Sequence, residues 1–145
     1  VPEYFHQIPV GEESMRCFMS KRHPLNGKTM TMNDYLNYSH IMVTLGGGPN
    51  IPIENSLTNV GKSRKVGMRV SHYLGALEVL SRTTMLFSSC PLVPERYSDQ
   101  FSITSQPLPF KQNNLRYLLV WPPMVHKDPA QQWLRKLCAK VIKDL

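Results

Sequence analysis

The stretch Asp128-Pro129-Ala130-Gln131-Gln132-Trp133-Leu134-Arg135 decides how this chain ends. Asp128 is a favoured N-cap because its carboxylate accepts a hydrogen bond from a free backbone N–H, and Pro129 suits the first helical position. Before it, residues 115–121 predict a strong strand. The helix after it carries one apolar stripe, formed by Trp133, Leu134, Leu137, Cys138, Val141 and Ile142. The end of the chain is therefore predicted to be a strand followed by an amphipathic helix.

The rest of the chain alternates between predicted strands and predicted helices, which is typical of an α/β layered fold. Thr31 and Ser71 are predicted to cap helices that end near residues 36 and 82, and Gly61 is predicted to end a helix over 52–60. The two prolines in 103–110 predict an edge or crossover segment rather than a central strand. The other predicted strands are 15–20, 40–45, 65–70 and 84–88.

The length and composition of the chain limit which classes of protein it can belong to. The 145 residues are 41% apolar, enough for one domain or for one lobe and part of another. We find no apolar run long enough to span a membrane and no signal-peptide pattern at the start, so a cytoplasmic protein is expected. Cys17, Cys90 and Cys138 are widely spaced, which favours reduced thiols and leaves redox sensing as an alternative.

The net charge of +7 points to solvated basic faces that also steer an anionic ligand. Direct recognition of DNA would need a helix whose side chains reach base edges, and no such helix is evident in the sequence.

Candidate ligand-binding residues follow the ends of three predicted strands. Open α/β sheets bind ligands where parallel strands end, and a helix N-terminus there favours a carboxylate. Ser71 could instead serve only as a helix cap, and Tyr73 could be a core residue, so both alternatives stay open. The predicted ligand-binding residues are Thr44, Gly46, Ser71, His72, Tyr73 and Ser88.

We predict neither catalysis nor a metal site. Ser71 and His72 are neighbours in sequence rather than a nucleophile and a base held by a third group. The five histidines lack metal-ligand spacing, and neither a P-loop nor a GxGxxG motif occurs. No catalytic residue, metal ligand or cofactor is therefore assigned.

Several short motifs, taken in order, resemble the C-terminal part of the effector-binding domain of LysR-type transcriptional regulators. The similarity runs from about Gln7 to Lys143, and its ending resembles the subgroup of nodulation activators and regulators of aromatic-compound degradation. The matching motifs are Arg22-His23-Pro24-Leu25, 35–45, Gly61, Arg64-Lys65-Val66, 66–80, Trp121, Asp128-Pro129 and Trp133-Leu134-Arg135.

The resemblance implies a periplasmic-binding-protein-like fold of type II, with two α/β lobes and a ligand between them. Residues 17–107 would form lobe II, with a mixed sheet. Residues 1–16 and 108–145 would supply the crossover strands, a strand and the C-terminal helix of an incomplete lobe I.

The function implied is ligand sensing and oligomerisation in a DNA-binding regulator whose helix-turn-helix is absent from this chain. The expected partners are a small-molecule effector such as an anionic or aromatic acid, a second copy in a homodimer or higher oligomer, and DNA through the missing N-terminal domain. We expect no membrane partner. The alternatives are a periplasmic-type solute-binding protein and an interaction-only lobe without a ligand.

Overall fold

The computed structural model describes residues 2–44 and 51–143. The chain divides into two compact units: a larger one, residues 14–113, and a smaller one formed by residues 1–13 with 114–145. In chain order the elements are β1 (His6–Glu13), β2 (Arg16–Ser20), α1 (Met32–Asn37), β3 (His40–Val43), α2 (Ile51–Thr58), β4 (Val66–Val70), α3 (Tyr73–Arg82), β5 (Leu86–Ser89), α4 (Leu92–Arg96), β6 (Ile103–Pro107), β7 (Leu115–Trp121), a 3₁₀ turn (Pro123–Val125) and α5 (Pro129–Lys143).

The larger unit is built on a five-stranded sheet with the order β4-β3-β5-β2-β6. β3 pairs in parallel with both β4 and β5, whereas β2 runs antiparallel to β5 and β6. The sheet is therefore mixed, and β6 lies at one edge, as the prolines of that segment predict. The predicted α/β architecture is confirmed.

The helix α3 covers one face of this sheet. Its residues Ala76, Leu77 and Leu80 are fully buried against strand side chains, and burial of one large aliphatic side chain contributes about 1.5–3 kcal/mol. Within α3, the one large apolar side chain that stays mostly exposed is Leu74, at 50%. Most of the apolar side chains of α3 thus pack against the sheet of the same unit. The core cluster comprises Phe18, Ile41, Ala76, Leu77, Leu80, Phe87 and Ile103.

The opposite face of the sheet carries a buried charged group. The side chain of Arg64 is only 2% exposed. Its Nε and Nη2 donate to Oε1 of Glu54 at 2.9 and 2.8 Å, and its Nη1 donates to the Tyr35 hydroxyl at 3.4 Å. The Tyr35 hydroxyl and Ser88 Oγ are 2.8 Å apart. Because an unpaired buried charge is costly, these contacts hold α1, α2 and the sheet together.

Burial keeps the neighbouring titratable groups neutral. Desolvation raises the pKa of Cys17 to about 12 and the pKa of Tyr35 to about 12, and it lowers the pKa of His40 to about 4. A thiol with so high a pKa is a poor nucleophile and a poor redox sensor, so Cys17 is a structural residue. Arg64 and Glu54 are the charged pair of this face.

Three of the predicted helix boundaries are set by local contacts. Thr31 Oγ1 accepts the N–H of Asp34 at 3.1 Å, and the Asp34 carboxylate accepts the N–H of Thr31 at 2.9 Å, which completes a capping box. Gly61 adopts a φ of +66° after α2, as a left-handed helix end requires. The Asp128 carboxylate accepts the N–H of Gln131 at 2.8 Å. These predictions are confirmed.

The smaller unit consists of the antiparallel pair β1–β7 and of α5. In α5 the half-buried residues are Arg135, Cys138 and Ala139, whereas Trp133 is 64% exposed. β7 has apolar residues on both faces, a pattern typical of a strand that is covered on both sides. The apolar stripe predicted for α5 is present, but in this unit it lies mainly at the surface. Its exposed members are Trp133, Leu134, Leu137, Val141 and Ile142.

Replacing Glu54 with Gln should destabilise the larger unit by about 3 kcal/mol, because the buried Arg64 guanidinium loses its counter-charge. The matched control is Arg82→Gln, which breaks the exposed Glu78–Arg82 pair on α3 and should cost less than about 1 kcal/mol. Urea unfolding followed by circular dichroism measures both changes. Equal effects of the two substitutions would contradict the role assigned to the buried pair.

Candidate functional site

The carboxyl ends of three strands meet at one edge of the larger unit's sheet. β3 lies between β4 and β5, and all three run in parallel. Val43 stands opposite Val70, and the Thr44 N–H donates to the Val70 carbonyl at 2.9 Å. Thr44 and Ser71 therefore follow neighbouring strands at the same edge, as their positions in the sequence predict.

The N-terminus of α3 opens at this edge. The N-cap is His72, with extended backbone angles (φ −136°, ψ 139°) and no side-chain capping bond. The first intrahelical bond is from the Ala76 N–H to the His72 carbonyl, so the N–H groups before Ala76 have no acceptor within the helix. Together with the helix dipole they form a positive end that favours an anion.

The prediction that Ser71 caps this helix is wrong. The helix begins one residue later than predicted, at Tyr73, and its N-cap is His72, whose backbone is extended. Ser71 and His72 are both exposed at the edge. Their side chains are therefore available to a ligand.

Tyr73 has the core role that the sequence left open, and its contact with a ligand stays a prediction. Its ring packs edge-on against Phe87 with centroids 5.9 Å apart, which makes it part of the core. Its hydroxyl accepts a hydrogen bond from Ser89 Oγ at 3.4 Å. Tyr73 thus links the start of α3 to the end of β5.

The Ser88 side chain points away from Tyr73 and the start of α3. Successive side chains of a strand alternate between faces. Phe87 and Ser89 lie on the α3 side, whereas Ser88 is buried against Tyr35 on the other side. The residue of β5 that joins the edge is therefore Ser89, and the remaining predicted residue, Gly46, lies outside the described residues.

Arg16 also belongs to this edge, although the sequence offers no motif that marks it. β2 runs antiparallel to β5, so its first residue pairs with the last residue of β5, Ser89. The Arg16 Nε donates to Ser105 Oγ at 2.8 Å and lies 3.7 Å from a Glu95 carboxylate oxygen. A half-exposed guanidinium is thus held beside the carboxyl ends of the strands.

Neither a metal cluster nor a membrane-spanning helix is found in the described part of the chain. Residues 2–44 and 51–143 bring no three His, Cys, Asp or Glu side chains together as metal ligands. The helices in these ranges are too short or too polar to cross a bilayer.

A mixed sheet with a ligand-accessible carboxyl edge agrees with the family comparison. The family model for the LysR substrate binding domain matches residues 2–143. The chain belongs to the LysR substrate-binding domain family. Among curated proteins, it is 27% identical over 132 residues to the HTH-type transcriptional activator NahR of Pseudomonas putida, an alignment that covers 88% of this chain and 43% of NahR.

Solved regulatory domains share the fold. The regulatory domain of MexT, a transcriptional activator in Pseudomonas aeruginosa, superimposes with a TM-score of 0.82 at 19% identity, covering 97% of this chain and 69% of that chain. The effector-binding domain of QuiR in complex with shikimate gives a TM-score of 0.75 at 14% identity, covering 97% and 66%. The fold is therefore that of LysR regulatory domains, which is the type II periplasmic-binding-protein-like fold.

Membership in this LysR family favours one of the function classes left open by the sequence, the regulator. The family consists of effector-binding domains of transcriptional regulators, not of enzymes. A role in a regulator is therefore favoured over the alternative role of a periplasmic-type solute-binding protein. The chain spans less than half the length of the curated relatives it matches, 43% of NahR and 42% of NagR from Ralstonia sp.

Proposed function

We propose that this chain recognises a small organic anion at the carboxyl edge of the larger unit, within a LysR-type regulator. The contacts come from Thr44, Ser71, His72, Tyr73 and the backbone N–H groups that open α3. The single observation that carries the proposal is the convergence of a free helix N-terminus with three strand ends.

Charge and hydrogen-bonding capacity support an anionic effector. The N–H groups in the first turn of α3 donate no bond within the helix, and Arg16, which is paired with Glu95, brings a guanidinium to the same edge. QuiR, which shares the fold, is complexed with shikimate, a small carboxylate. The effector class we propose is a carboxylate, with aromatic acids among its members.

We further propose that the larger unit, residues 14–113, corresponds to lobe II and that the smaller unit belongs to lobe I. Effector binding would shift the population of two arrangements of the regulator, and DNA would be contacted by a separate N-terminal domain. The proposed setting is the cytoplasm, and no catalytic residue, metal or cofactor takes part.

Substitutions at the N-cap test the anion site without breaking the helix. Asp and Asn are both good N-cap residues, so His72→Asp and His72→Asn should fold equally well. The added negative charge of Asp should weaken binding of shikimate at least about tenfold relative to Asn, because it occupies the positive helix end. Calorimetric titration of the 145-residue chain measures the two affinities.

Two controls accompany this titration. Arg22→Gln removes a charge from the turn after β2 and should leave the affinity unchanged. Amide resonances of residues 71–75 should shift with ligand in the unmodified chain. Equal affinities for the Asp and Asn variants, or shifts that omit these amides, would disprove the proposed site.

We also propose that a second copy of the chain covers the exposed apolar stripe of α5. Contiguous exposed apolar surface usually marks an interface, and Trp133, Leu137 and Val141 are between 42% and 64% exposed. Sedimentation at micromolar concentration should show a homodimer or larger oligomer that Leu137→Glu dissociates. The control Leu92→Glu, at an exposed leucine of α4, should not dissociate it. A monomeric unmodified chain would rule out this interface.

A further inference from the structure

We propose that a cavity between α2 and β4 is a second binding site, which takes small apolar monocarboxylates. It has a volume of about 160 Å³ and lies wholly within the larger unit. Leu57 and Met42 are buried in its wall, and Lys62 and Arg69 are exposed around it. An apolar interior with cations at the surface matches a ligand that has an apolar body and one anionic group.

This cavity is separate from the edge where α3 begins. Met42 and Arg69 stand opposite each other in the β3–β4 pair and share one face of the sheet. Their neighbours Ile41 and Met68 share the other face, and Ile41 packs in the core cluster beneath α3. A ligand in the cavity would therefore lie across the sheet from α3.

The charges around the cavity do not balance. Glu54 is its one carboxylate: Oε1 accepts both bonds from the buried Arg64, and Oε2 is buried without a hydrogen-bond partner in the described part of the chain. Within the described part of the chain, Lys62 and Arg69 form no ion pair. The Arg69 Nη1 instead points at Met42 Sδ, 2.8 Å away, and a thioether is a weak acceptor. The cavity therefore keeps two uncompensated positive charges, a binding environment for one carboxylate.

Size narrows the class of ligand. An apolar cavity of about 150 Å³ is large enough for one benzene ring. A ring or a short branched alkyl group could therefore contact Leu57, Met42 and Val66 while its carboxylate meets Lys62 and Arg69. A dicarboxylate fits less well, because its second charge would approach Glu54.

Benzoate is the probe for this site, and the Met42 methyl group is the reporter. In the 145-residue chain with ¹³C-labelled methionine methyl groups, benzoate should shift the Met42 resonance saturably, with a Kd of about 1 mM. The exposed Met124 of the smaller unit should not shift. Benzamide, which has the same shape and no charge, should bind at least about tenfold more weakly.

Two pairs of substitutions separate recognition at the cavity from net charge. Lys62→Gln with Arg69→Gln should weaken the effect of benzoate on Met42 at least about tenfold. The control pair, Arg22→Gln with Arg96→Gln, removes the same charge from residues that do not line the cavity and should leave the titration unchanged. The His72→Asp variant should also leave it unchanged, which distinguishes this site from the α3 edge.

Three results would overturn the proposal: no saturable shift of Met42, equal binding of benzamide, or equal loss of affinity in both pairs of variants. None of these results would bear on the proposed site at the α3 N-terminus, because that proposal is tested separately by the amide resonances of residues 71–75.

Discussion

The parallel pairing of β3 with β4 and β5 is the constraint on which the rest of the larger unit depends. Parallel strands end at the same edge, so the residues that follow β3 and β4 become neighbours although 27 positions separate Thr44 from Ser71. The connection after β4 then turns into α3 and leaves its free N–H groups at that edge. The anion-binding capacity of the site follows from this arrangement of the backbone rather than from any one side chain.

The same sheet is stabilised differently on its two faces. On the α3 side the contacts are apolar, and they fix the helix whose N-terminus forms the proposed site. On the other side a single buried guanidinium joins α2, through Glu54, to α1 and β5, through Tyr35 and Ser88. Removing one partner of such a pair costs more than forming the pair gains, so the network favours one packing of α1 and α2 over alternatives.

The helix ends that were predicted correctly are set by contacts between residues close together in sequence. The capping box at Thr31, the left-handed Gly61 and the Asp128 cap each depend on residues a few positions apart, and all three could be read from the sequence. The N-cap of α3 was misplaced by one residue because the sequence around Ser71 does not show that His72 keeps an extended backbone.

Contacts between distant segments could not be predicted in this way. Ser88 and Ser89 are adjacent in sequence, and only the register of β5 shows that Ser88 faces Tyr35 while Ser89 faces Tyr73. Arg16 reaches the edge through antiparallel pairing with residues more than seventy positions away. Periodicity likewise shows that α5 has an apolar face but not what that face contacts.

A crystal structure of the chain with shikimate bound tests the central claim, anion recognition at the start of α3, most directly. We predict a ligand carboxylate oxygen within about 3 Å of backbone N–H groups in the first turn of α3, beside Thr44 and Ser71. A bound carboxylate that leaves this helix N-terminus unoccupied would contradict it.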